Sequence, residues 1–295
     1  MPHGVAIEDA SVDVTPRLSC PDGAVLVPAR HVALSRYLCD NWPGDPETVC
    51  PQPIELNVPA FCVDRFEVSA AQVLACVQSG ACIAHPWLDL HEHPQWGCDL
   101  AQIRRERMEF EHSRWCTLRD PLQGALPANC VRPLLADAFC RHAGGALMSE
   151  EQWQAAAMPP DQRPELEHIV QTANLLDPVS RQRFGSILYQ DDSPATQDSE
   201  PFLRPTQVPS QDVSRDGVYE LFGNVAEWVT RTSRVPEGDS RLGNLVVVGA
   251  PFRGARGGHF LEADPRGARA GITSTGGSAC LSSATIGFRC AYAPR

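Results

Sequence analysis

Apolar and polar positions alternate along residues 54–68 well enough for one or two strands, and the short run at 24–29 (AVLVPA) reads as another. A helix is expected next: Ser69 caps it with Gln72 three residues on, Val73, Leu74 and Val77 form its buried stripe, and Gly80 stands where it would stop. Residues 83–115 are rich in His, Trp and mixed charge, carry an amphipathic helical pattern over 100–110 and read as an insertion. Pro133 opens a helix with Leu134, Leu135, Ala138, Phe139 and His142 on one face, closed by Gly144 and Gly145. Ser149 and Gln152 cap a third, which buries Trp153, Ala156 and Ala157 before Pro159 and Pro160 end it. From there to Val218 the pattern is that of irregular loops, and residues 245–248 read as a buried strand.

The chain's 295 residues, 43% hydrophobic and 21% charged, can bury a large core, and 26 prolines with 22 glycines call for many loops. A net charge of −11 without a basic block excludes a nucleic-acid backbone or an anionic membrane as the expected partner. No stretch approaches the roughly 18 apolar residues that span a bilayer, and residues 1–17 are polar, without a signal-peptide core. The 12 cysteines point the other way, to disulfides and an oxidising, extracytoplasmic compartment, with Cys76/Cys82, Cys130/Cys140 and Cys280/Cys290 spaced as local pairs. Reduced thiols or a metal cluster are the alternatives, although no CxxC occurs.

Three segments then stand in order: 61–69 (FCVDRFEVS), 217–229 (GVYELFGNVAEWV), and 256–260 (RGGHF) with 286–290 (IGFRC). Together they resemble the formylglycine-generating-enzyme, or sulfatase-modifying-factor, family, whose GLY-x-x-x-GN-x-x-EW signature the middle segment is similar to. Residues 147–157 stand where that family's LPTEAEWEYAA helix would be. The resemblance runs from Cys20 onward. It implies a single α+β domain over 20–295 behind a polar tail, 1–19, of an irregular C-type-lectin-like kind: small twisted antiparallel sheets, few helices, and much coil pinned by calcium. It further implies one calcium site from the side chains of Glu220 and Glu227 and the carbonyls of Gly223 and Val225, with Asn174 and Leu175 matching part of a second. Hard oxygen donors converging from a tight turn are what calcium requires. The alternative leaves Glu220 and Glu227 as solvated acids and Trp228 as plain core.

In well-studied members two cysteines, five apart, follow an RGGSF turn and hold the copper that activates oxygen to turn a substrate cysteine into formylglycine. Here the matching positions are Glu262 and Gly267, His259 replaces the serine, and no cysteine lies between Cys140 and Cys280. Cu(I) prefers soft thiolates, so copper and the standard conversion are not expected; a Cys280/Cys290 disulfide is preferred to copper ligation. Glu262, His259 and Arg256 are the candidate catalytic residues. His259 and Glu262, with His85, His91, His93 or His112, would suit iron or another oxygen-activating metal. Alternatively Glu262 would act alone as a general base, as in a branch resembling the oxidase that matures the pyoverdine chromophore. Arg256 reads equally as a buried guanidinium beside a glycine turn, and Arg289 as the buried partner of an acid. An oxidoreductase acting on a peptide or peptide-derived small molecule therefore competes with a non-catalytic, lectin-like module that binds a peptide, glycan or protein. The sequence leaves enzyme status and oligomeric state open.

Overall fold

The computed structural model describes residues 18–34, 54–82, 115–157, 165–175, 203–234, 251–260 and 283–295. The helix expected at 100–110, the strand at 245–248, and Glu262 and Gly267 lie outside them. β1 (Ala24–Val27), β4 (Phe61–Asp64), β9 (Cys290–Tyr292) and β5 (Ala146–Leu147) form an antiparallel sheet in the order β1-β4-β9-β5. β2 (Arg30–Leu34) and β3 (Ile54–Val58) make a second, two-stranded sheet. In the third, β6 (Ala226–Arg234) lies between β7 (Pro251–Arg256), antiparallel to it, and β8 (Ile286–Gly287), parallel to it. The architecture is α+β with small sheets, as expected, and the sheets are antiparallel among the described residues apart from the short β6–β8 pairing.

The helices begin where local chemistry starts them. α1 (Ala70–Gln78) carries the full capping box: Gln72 N–H donates to Ser69 Oγ at 3.3 Å and Ser69 N–H to Gln72 Oε1 at 2.8 Å. α2 (Pro133–His142) opens on its proline, and α3 (Glu150–Ala157) repeats the reciprocal cap with Ser149 and Gln152. α4 (Leu166–Thr172), in the stretch expected to be all loop, is a short helix; seven residues are too few for an apolar period to show.

Trp153 on α3 and Trp228 on β6 are fully buried, and the Trp228 indole donates to Val131 O at 2.8 Å, fixing the segment before α2 against β6. Cysteines then staple the layers. Cys76–Cys82 forms as spaced, but the other two expected local pairs do not: the bonds are Cys116–Cys130 and Cys140–Cys290, alongside Cys20–Cys62. The reason is helical rise. Cys130 lies before α2 and Cys140 within it, and the helix rises about 10 Å between Pro133 and Cys140, already beyond the roughly 7 Å that a disulfide can bridge. Cys140 instead meets Cys290 of β9, so Cys290 is not available to Cys280.

Candidate functional site

The signature segment is a bend whose backbone is held open by side chains. Asn224 sits in the left-handed region at φ 65°, as does Glu220 at φ 55°. The Asn224 amide makes every hydrogen bond open to it: Nδ2 donates to Glu67 Oε2 at 2.7 Å and to Arg204 O at 3.2 Å, while Oδ1 accepts from Arg204 N–H at 2.8 Å and Asn174 Nδ2 at 3.0 Å. The other Glu67 oxygen accepts from Val225 N–H at 3.2 Å. Gly223 is required here, because a Cβ would run into the backbone of Asn174. Asp212 completes the frame, taking the Phe222 N–H on Oδ2 at 3.0 Å and the Glu220 N–H on its carbonyl at 2.8 Å.

Glu220 and Glu227 are both buried, so the solvated-acid alternative is excluded, and Trp228 is core. Glu227 Oε1 is held by Arg289, the buried partner of an acid that the sequence suggested; the guanidinium also donates to Tyr219 O at 2.8 Å and Asp64 O at 3.2 Å. Glu220 Oε1 is held by Arg204 Nη1 at 3.1 Å. Each acid has a second oxygen, Oε2, that is buried and has no hydrogen-bond partner among the described residues. The Trp153 indole lies close enough to favour the ionised Glu227 but outside hydrogen-bonding geometry. Burial pushes the Asp212 carboxyl up to about 7, with the Glu220 charge adding to it. Burial likewise raises Glu67 well above the carboxylate range, opposed by Arg289 and reinforced by Glu220 and Glu227.

Two orphaned carboxylate oxygens beside a tight turn are a donor set that fits a hard cation such as calcium, provided backbone carbonyls supply the remaining ligands. Among the described residues no three His, Cys, Asp or Glu side chains group as a metal-binding set by themselves. Asn174 lies against this same bend, its carbonyl accepting the Asn224 N–H at 2.9 Å, and Leu175 packs half-buried on the main core.

The second segment docks onto the first. Glu227 of β6 pairs directly with Arg256 of β7 in the sheet register. Gly257 follows at φ 88°, where a Cβ would stand 2.5 Å from Leu221 O of the bend, and Phe260 N–H donates to Asn224 O at 2.9 Å. Arg256 is buried in an ion pair with Glu150 of α3. His259 is mostly buried, and the loss of water lowers its pKa to about 4, leaving a neutral imidazole at pH 7. Beside it Phe260 packs with Trp115, ring centroids 6.0 Å apart, in a small apolar cluster with Leu203 and Val225.

Of the residues singled out in the sequence, the structure brings Asn174, Glu220, Gly223, Val225, Glu227, Arg256 and His259 to one region. Glu67, Glu150, Arg204 and Asp212 join them without having been assigned a role. Glu67 lies in the first quoted segment and Glu150 in the first turn of a legible helix, so both carried a signal; Arg204 and Asp212 sit in aperiodic loop and carried none.

No curated protein matches the chain by sequence. Its structure is similar to that of PvdO from Pseudomonas aeruginosa, with a TM-score of 0.52 and 17% identity over 91% of this chain and 93% of that one. Fainter likenesses are to the Treponema denticola variable protein 1 (TM-score 0.48, 14% identity, 92% and 95% covered) and to CarF (0.46, 16%, 92% and 98%). The Sulfatase-modifying factor enzyme 1-like domain matches residues 11–294, and the chain therefore belongs to that family, as a member without a cysteine pair after its glycine turn.

Proposed function

We propose that this protein is a calcium-stabilised, extracytoplasmic member of its family in which copper and thiol chemistry is altered or lost, and in which a cleft beside the turn at 256–260 receives a peptide or peptide-derived ligand. The observation that carries the reading is the pairing of two facts. The turn is docked on the signature bend through Gly257 and Phe260, and the positions that follow it hold Glu262 and Gly267 in place of sulfur. The calcium ligands would be Glu220, Glu227 and the carbonyls of Gly223 and Val225; the ion would offset buried negative charge and cross-link the bend. Four disulfides among the described residues support an oxidising compartment, and no described helix is long and apolar enough to cross a membrane. The domain is taken to cover 20–295, with the insertion at 83–115.

Within this reading His259 and Glu262 are the candidates for chemistry. A neutral imidazole is the form that accepts a proton or binds a metal. Arg256 is committed to Glu150, which favours a positioning role for it, and this commitment is the observation that supports the second reading, a binding module without catalysis. Metal analysis of purified protein separates the two. Calcium alone, with Glu262→Ala melting like the parent, supports the binding module; stoichiometric iron lost in that variant supports an oxidoreductase. Copper-dependent conversion of a cysteine peptide to formylglycine would contradict the proposal in either form.

A further inference from the structure

Among the described residues three arginines reach buried carboxylates around the bend, and they are not equivalent. The Arg289 side chain is 0% exposed and that of Arg256 2%, each locked against its acid. The Arg204 side chain is 43% exposed, and a single nitrogen, Nη1, serves both Glu220 Oε1 and Thr172 O, each at 3.1 Å. The backbone of Arg204 is the fixed part, clamped by both ends of the Asn224 amide. Its side chain is thus free to leave without moving the strand of chain that carries it. Behind it, Glu220 is 5% exposed, sits at φ 55°, and has a second oxygen that is buried and without a partner, close to the Glu67 and Asp212 carboxyls.

We propose that Arg204 is a tethered competitor for the cation at Glu220: its guanidinium holds that carboxylate when no metal is bound and is displaced into solvent when one binds. The inference rests on the calcium reading above and adds a regulatory element to it. The partly exposed guanidinium engages one oxygen of the buried Glu220 carboxylate, whereas a calcium ion would draw hard oxygens from the acid and the bend together. Because the two cations share a carboxylate, the apparent calcium affinity is reduced by the fraction of molecules in which the arginine is seated. That arrangement makes the site responsive to anything that captures the Arg204 side chain, such as an acidic group on a bound ligand.

The test is calorimetric titration of calcium chloride into the intact, metal-stripped chain, the Arg204→Gln and Glu220→Gln variants and the double variant, with circular dichroism to confirm folding. Arg204→Gln should bind calcium about fivefold more tightly than the parent, the change expected from losing one partly exposed ion pair. Arg204→Lys keeps a competing charge and should stay near the parent, and Arg204→Gln should bring no gain in the Glu220→Gln background. Binding by Arg204→Gln where the parent shows none would support the proposal equally. Unchanged or weaker affinity in folded Arg204→Gln, with the parent binding calcium, overturns the competition and leaves the calcium reading standing; no binding by any of the four overturns both. If Arg204→Gln does not fold, Arg204→Met carries the same comparison.

Discussion

Glu227 and Arg256 are direct cross-strand partners in β6 and β7, yet each delivers its charge to a different layer: Glu227 to Arg289 beside β9, Arg256 to Glu150 on α3. One rung of the third sheet thereby ties the C-terminal segment, the signature bend and α3 together. Buried ion pairs of this kind contribute little net stability when intact but cost heavily when one partner is removed. The rung is therefore a place where the fold is specified, and four of the predictions below probe its surroundings.

Glu150→Gln takes the carboxylate from Arg256 and should destabilise the protein by about 3 kcal/mol. Urea unfolding checks it, and the Glu150→Gln/Arg256→Met double variant should recover part of the loss. With Arg256→Met measured alone as well, a double-variant cost equal to the sum of the two single costs would show that the pair is not coupled.

Asn224→Ala removes four side-chain hydrogen bonds and places alanine at a left-handed backbone position, for a loss of about 3 kcal/mol. Asn224→Gly keeps the backbone comfortable and should be milder by about 1 kcal/mol. The difference between the two melting curves isolates the conformational part.

Asp212 and His259 should tilt the pH dependence of stability in opposite directions. Asp212 is raised from 3.8 to about 7, so the folded state holds a proton that the unfolded chain has lost; its contribution is complete below pH 4 and fades as pH rises through 7. His259 is lowered from 6.5 to about 4, so its contribution is complete above pH 6.5 and fades as pH falls through 4. Measured in EGTA, Asp212→Asn should make stability rise with pH between 4 and 7, and His259→Gln should make it fall. The Asp212 limb should span about 4 kcal/mol and the His259 limb about 3 kcal/mol.

Much of the fold was legible because its signals are local. The two reciprocal caps, the proline at the start of α2 and the glycines after it depend on neighbours three or four residues away, and all formed as read. The bend and the glycine turn were legible as motifs, and Gly223 and Gly257 show why glycine stands there. What the sequence could not supply was set by contacts across the chain. The length of α2 decides that Cys140 bonds Cys290 and not Cys130, and nothing periodic marks Arg204 or Asp212 as neighbours of Glu220.

The Cys140–Cys290 bond closes 150 residues and Cys76–Cys82 only 6. On chain entropy, replacing the first pair with serine should cost about 5 kcal/mol and the second about 2 kcal/mol. Alkylation without reductant followed by peptide mapping should find no free thiol at the eight cysteines of the four described disulfides; thiols there would contradict an oxidising compartment.

Thermal unfolding of the parent chain in saturating calcium and in EGTA, paired with elemental analysis of the same sample, tests the calcium-held bend most directly. About one calcium per chain and a midpoint lower by about 5 °C or more in EGTA are expected. Superimposable curves from a sample that contains no calcium would contradict it.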